Sequence, residues 1–278
     1  MSGKTPQILV IEAGKSNARY WQDLWRFREL FLFLTWRDIL VRYKQTAIGI
    51  LWSVLRPLLT MAVFTIVFGK IAKLPADGAV AYPLMVFAAL LPWQMFANAV
   101  TESSNSVINN GDMVGKIYFP RMILPVSAVT TAVVDFLIAL ILFFILMVFY
   151  GVVPTPQILL LPVFITIGLG AALGAGLLIS ALNVSYRDFR YVVPFLIQFG
   201  LYVSPVGFSS SVVPEGWRLL YALNPMVGVI DGVRWCLLGG HADLYLPGLV
   251  LSLVMTAVLL LVGVVSFRHM ERSFADRI

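Results

Sequence analysis

Two ionisable residues stand inside long apolar runs, where an ionised side chain costs about 3 kcal/mol at the centre of a spanning helix. Arg56 lies within the run Ile48–Val67 and precedes Pro57. A guanidinium grips phosphate through two parallel N–H donors, so Arg56 suits the pyrophosphate of a lipid carrier. Snorkelling toward the inner interface is the alternative. Asp135, in the run Ile123–Tyr150, is the one acid inside a run. Ion-coupled transport needs acids with partners along a path, whereas a lone acid suits a hydrogen bond between helices. Aromatic side chains form a third group. Phe195, Phe199 and Tyr202 recur at helical spacing, while Trp52, Phe64 and Phe68 are loosely aligned on another run. Such faces stack on sugar rings and equally fill cores.

Other chemistry is excluded by spacing or by numbers. Gly111-Asp-Met-Val-Gly115-Lys116-Ile117 approaches a phosphate-binding loop. That loop needs four residues between its glycines and Ser or Thr after the Lys; here the gap is three and Ile follows. No catalytic or cofactor site is therefore expected on this chain, and any ATP and Mg²⁺ belong to a partner. Cys236 is the only cysteine, so no internal disulfide forms. With His241 and His269 as the only histidines, a metal centre is not expected either.

The elements around these residues are membrane spans. The 278 residues are 60% hydrophobic and 12% charged, about half the ~25% charge of soluble domains. Six runs reach the length needed to cross ~30 Å of hydrocarbon: Ile48–Val67, Val80–Val100, Ile123–Tyr150, Ile158–Leu182, Tyr191–Val213 and Leu244–Phe267. An even number puts both termini on one side. If that side is cytoplasmic, 15 of the 20 Lys and Arg residues lie inside and four outside, with Arg56 in a span. This positive-inside bias places the net charge of +6 at the membrane surface and argues against nucleic acid as a partner.

Between the spans, four segments carry information. Residues 1–19 read as a polar cytoplasmic tail without a signal-type apolar core. Tyr20–Thr46 places Leu24, Phe27, Phe31 and Leu34 at helical steps. It reads as an interfacial helix with aromatic anchors, or as a tail that folds on a partner. Thr101–Pro125 interleaves Val107, Ile108, Val114 and Ile117 with Ser, Asn and Asp, a pattern that suits a short helix outside the bilayer, the handle for a separate motor. Pro214–Asp243 is neither a clean loop nor a span, and reads as a re-entrant outer gate or a structured external loop. In the fourth run Gly168, Gly170, Gly174 and Gly176 form a small-residue stripe that allows close helix approach.

Four stretches carry a family resemblance: VRYKQTAIGILWSVLRP (Val41–Pro57), KIYFPRMILP (Lys116–Pro125), NVSYRDFRYVVP (Asn183–Pro194) and YALNPMVGVIDGVRW (Tyr221–Trp235). Together they resemble the permease subunits of ABC-type polysaccharide exporters. The resemblance implies an all-α membrane fold over residues 47–278, with six transmembrane helices, an N-terminal interfacial helix over residues 20–46 and re-entrant outer gate helices near residues 205–240. It also implies a homodimeric translocation domain paired with two nucleotide-binding ATPase subunits, exporting lipid-linked polysaccharide such as O-antigen. The coupling helix would span about residues 105–116. Asn105, Val107, Ile108, Asn110, Asp112, Met113 and Lys116 would meet the ATPase, with Tyr186, Arg187 and Asp188 as a lesser contact. Trp52, Phe64, Phe68, Phe195, Phe199 and Tyr202 would line the glycan channel, and Arg56 remains the pyrophosphate candidate. A permease for another cargo, such as a drug, and an ion-coupled secondary transporter are the alternatives.

Overall fold

A computed structural model describes residues 17–44, 49–76, 78, 80–186, 188–240 and 244–274. The expected tail falls mostly outside them, as does Arg187. All regular structure among the described residues is helical.

The bundle is organised around α4 (Tyr82–Asn109), whose residues Leu84 to Trp93 are all buried. A helix that is apolar all round belongs inside a bundle, and α4 is surrounded accordingly. Its neighbours are α3 (Gly49–Phe64), α6 (Ile123–Phe149), α7 (Leu161–Ser185), α8 (Phe189–Val203) and α10 (Pro225–Leu237). The last long helix, α11 (Leu246–Met270), packs on α7 and α10. A π-helical turn, Thr65–Ile71, extends α3. With that extension, five helices among the described residues are long and apolar enough to cross a membrane: α3, α4, α6, α7 and α11.

The expected fifth run, Tyr191–Val213, departs from this rule. Its helix α8 has 15 residues, about 22 Å at 1.5 Å per residue. Ser204 then turns extended, with ψ 154°, as the residue before a proline must. Pro205 has no N–H to continue the helix.

The expected single helix Tyr20–Thr46 is two helices, α1 (Asn17–Arg26) and α2 (Arg28–Lys44), separated at Phe27. Backbone bonds Phe27 N→Asp23 O and Phe31 N→Phe27 O bridge the break. Leu24, Phe27, Phe31 and Leu34, the stripe read from the sequence, pack on a buried cluster at one end of the bundle. Trp25 and Phe33, off that stripe, are exposed. The cluster joins Val107, Val114, Phe119, Leu177, Phe267 and Phe274. Beside it Tyr20 donates to Glu271 Oε2 at 2.9 Å, and Arg121 N donates to Glu271 Oε1 at 2.8 Å. Burial, then the Glu271 carboxylate, pushes the Tyr20 phenol well above its ordinary range, so it stays protonated and donates. Both ends of the described chain therefore lie at the same end of the bundle.

Two glycines fix how closely α7 and α11 approach. A Cβ on Gly263 would lie 2.2 Å from the carbonyl oxygen of Gly174, and one on Gly174 would lie 2.6 Å from the Leu259 backbone. Backbone cannot swing aside as a side chain can, so Gly263→Ala must separate the helices. Overpacking of this kind costs about 1–3 kcal/mol. Gly263→Ala is expected to lower the unfolding midpoint of the purified protein. Gly216→Ala, where an added Cβ meets nothing within 4 Å, should not. Equal midpoints for the two would refute the close approach.

Candidate functional site

At the end that holds both ends of the described chain, α4 stops at Asn110, where the backbone leaves helical values (φ −112°, ψ 26°). Its side chain holds the break in place: Nδ2 donates to Ser106 O at 2.8 Å, and Oδ1 accepts from Arg37 Nη2 at 3.0 Å. A six-residue helix follows, α5 (Gly111–Lys116). The single helix expected over residues 105–116 is therefore divided, with residues 105–109 belonging to α4.

Burial sorts the expected coupling residues. Val107 is fully buried, and Val114 nearly so, because both anchor this end in the core; Val107 is thus corrected from a partner contact to an internal anchor. Asn105 also works inward. It donates to Thr101 O at 2.9 Å and accepts from Asn183 Nδ2 of α7 at 3.2 Å. Ile108 and Met113 are half-buried against the same cluster. Facing out are Asp112 and Lys116, with side chains 97% and 76% exposed and a 3.3 Å ion pair between them. Ile117, Tyr118 and, across the α7–α8 turn, Tyr186 and Asp188 are exposed too. Such a pair adds little stability. Exposed apolar residues beside charges are what a docking partner covers. Tyr118 was missed in the sequence, although it stands beside Ile117 in the same apolar-polar pattern.

Higher on the bundle, a cleft of about 190 Å³ opens between α2, α3, α4 and α6. Arg42, Trp52, Arg56, Gln94, Asn98 and Asp135 are among its lining residues. Asp135 is not alone there. Arg42 Nη1 lies 3.0 Å from Asp135 Oδ2, Asn98 Nδ2 donates to the same oxygen at 3.3 Å, and Tyr43 OH donates to Oδ1. The helix-to-helix reading of Asp135 therefore holds, with α2 and α4 as the partners. Burial, then the hydrogen bond to Asp135, raises the Tyr43 phenol above its ordinary range. Arg42 also reaches Glu102 Oε1 at 3.3 Å. Arg56 makes no ion pair to a described residue and is exposed within the single chain.

The aromatic residues divide as well. Phe64 stacks on Tyr202 with ring centres 6.0 Å apart, and Phe68 lies 5.2 Å from Phe64. These contacts join α3 to α8. Phe64 is 5% exposed, so within this chain it packs and does not line a passage, a correction to its expected place. Phe195, Phe199, Tyr202 and Trp52 are all more than half exposed. Phe195 and Phe199 stack at 6.3 Å on the outer face of α8. Trp93 is buried, and Gly200 lets α8 meet it: a Cβ there would lie 2.6 Å from the ring.

At the opposite end, residues 204–209 are irregular and lead into α9 (Glu215–Tyr221) and α10. Irregular backbone at membrane depth must be satisfied from within the protein. Tyr82 OH donates to Gly207 O, and Tyr221 OH to Val203 O at 2.8 Å. Arg234 of α10, 1% exposed, donates to the carbonyls of Met85, Val206 and Phe208. This segment is the expected outer gate region, and α10 is buried along nearly its whole length.

The family described as ABC-2 type transporter matches residues 29–238. The chain is 30% identical over 215 residues to an O-antigen export system permease protein RfbA of Myxococcus xanthus, covering 77% of this chain and 82% of that one. Two Klebsiella pneumoniae proteins of the same name are 28% and 29% identical, each covering 89% of this chain and 94% of theirs. The matched region contains the α4–α5 break, the charged cleft and the Arg234 segment, and this multi-pass membrane protein belongs to the ABC-2 type transporter family.

Proposed function

We propose that this chain is the permease subunit of an ATP-driven exporter. It carries a lipid-linked polysaccharide of the O-antigen kind from the cytoplasmic to the outer side of the inner membrane. The similarity to O-antigen export permeases over nearly the full length of both chains carries this reading. Two copies form the translocation domain, and two separate ATPase subunits supply the work. The exposed ridge of Asp112, Lys116, Ile117 and Tyr118, with Tyr186 and Asp188, is the surface they drive. Charge distribution supports a cytoplasmic position for that end and for both termini.

The glycan path lies where α3 and α8 leave aromatic faces uncovered. Phe195, Phe199 and Tyr202 offer ring faces to sugars, and a row of weak contacts lets a repeating chain slide. The short α8, continued by residues 204–209, serves as the sixth crossing, and α9–α10 form the outer gate. Membrane lipids surround the bundle.

Deletion of this chain is expected to leave lipid-linked glycan on the inner leaflet. Export should return when the chain is supplied with an active ATPase, and should not when the phosphate-binding Lys of that ATPase is replaced. Export in the presence of the inactive ATPase would overturn the reading.

A further inference from the structure

We propose that the cleft between α2, α3, α4 and α6 binds the diphosphate of a lipid carrier through two arginines, Arg56 and Arg42, and that Arg42 releases Glu102 in doing so. The inference rests on the proposed reading that the cargo is a lipid-linked polysaccharide, and adds that the link is a diphosphate.

Both guanidinium groups line the same cleft, and Gln94 and Asn98 add neutral donors. Its volume of about 190 Å³ far exceeds the ~10–15 Å³ that admits one water. Arg42 is now shared between two carboxylates on two helices. The Asp135 contact is the shorter, 3.0 Å, and its carboxylate is 15% exposed. The Glu102 contact is 3.3 Å, and its carboxylate is 46% exposed. Solvent screens the second pair far more, so Glu102 is the partner a denser anion displaces. Asp135 stays. Held by Tyr43 and Asn98, it is a positioning residue that keeps one arm of Arg42 fixed while the other turns to the ligand.

The exchange has a consequence at α5. Glu102 stands eight residues before Asn110 on α4, about 12 Å along the helix. Beside the apolar packing of Leu34, side chains of α2 grip this stretch through Arg42 to Glu102 and Arg37 to Asn110. A diphosphate in the cleft removes the first grip and leaves the second, so occupancy is felt at the root of the coupling helix.

The test measures farnesyl diphosphate binding to the purified permease–ATPase complex in lipid nanodiscs, with inorganic pyrophosphate as the tail-free comparison. Glu102→Gln removes the competing carboxylate and is expected to tighten farnesyl diphosphate binding about two- to fivefold. Arg42→Gln should weaken it about tenfold or more, and Arg42→Lys should fall between, since Lys keeps the charge without the fork. Should Arg42→Gln fail to assemble, Glu102→Gln decides alone, because the Glu102 side chain is about half in solvent and the amide keeps its shape. Unchanged or weaker binding by Glu102→Gln overturns the exchange. Equal affinity for inorganic pyrophosphate overturns the lipid assignment. If farnesyl diphosphate does not bind while deletion still traps lipid-linked glycan, the cleft assignment alone falls. If it binds as expected and deletion traps no glycan, the transport reading falls and the cleft stands.

Discussion

Gly115→Trp is expected to leave the permease folded and inserted while cutting export about 30-fold. Gly115 lies in α5, and a Cβ built there meets nothing within 4 Å. The indole therefore has room within this chain, and any damage comes from what α5 touches. The residue is adjacent on the helix to Asp112 and Lys116, whose side chains stand almost wholly in solvent. A bulky ring wedged between this ridge and a partner removes contacts of the hot-spot kind, about 2 kcal/mol or more, which is about 30-fold in affinity. Gly115→Ala is the control. It raises helix propensity by about 0.8–1 kcal/mol and adds one methyl, so export should persist. Substituting Met113 is a less clean test, because Met113 also packs on the buried cluster beneath α5. Membrane yield, co-purification of the ATPase and export are the three readouts. Normal ATPase binding and normal export by Gly115→Trp would remove α5 from the interface.

Periodicity exposed the parts of this fold that depend on one chain segment alone. Leu24, Phe27, Phe31 and Leu34 share a helical face whatever packs on it, and that face is the one that docks. The glycine stripe of α7 likewise marks a close approach, though the sequence does not say that Gly263 of α11 is the residue it meets. What stayed hidden depends on pairs far apart in the chain. Asp135 looked isolated because its partners are 92 and 37 residues away, Tyr43 and Asn98. Arg42 gave no separate signal among the other basic residues of Tyr20–Thr46. Phe64 and Phe195 have the same chemistry, yet Phe64 is enclosed by Phe68 and Tyr202 while Phe195 is open. Composition cannot separate them, since an aromatic face serves a core or a sugar equally well. The boundary within Thr101–Pro125 was legible only as polarity. Its break at Asn110 needs Arg37 from α2 to hold it.

Arg234→Met is expected to destabilise the protein by about 2–6 kcal/mol, since each buried carbonyl left without its donor costs about 1–3 kcal/mol. Methionine fills much of the same space but donates no hydrogen bond. The carbonyls of Val206 and Phe208, at 3.0 and 2.9 Å from Arg234 Nη2 and Nη1, would then be left without this donor. Neither lies in a helix that could satisfy it, because Pro205 has already ended α8. Arg234→Lys should be milder because the ammonium keeps a donor for one carbonyl, yet not neutral, since it cannot span the carbonyls that the guanidinium fork reaches together. The unfolding midpoint of the purified protein measures the first effect. Leakage of a small sugar from vesicles carrying the permease measures the second, because residues 204–209 lose the side chain that pins them to α4 and α10. An unchanged midpoint for Arg234→Met would show that this charge is dispensable. The expected loss would explain why a charged residue survives in a buried apolar helix: its guanidinium ties the backbone carbonyls of Val206 and Phe208 to that of Met85 on α4.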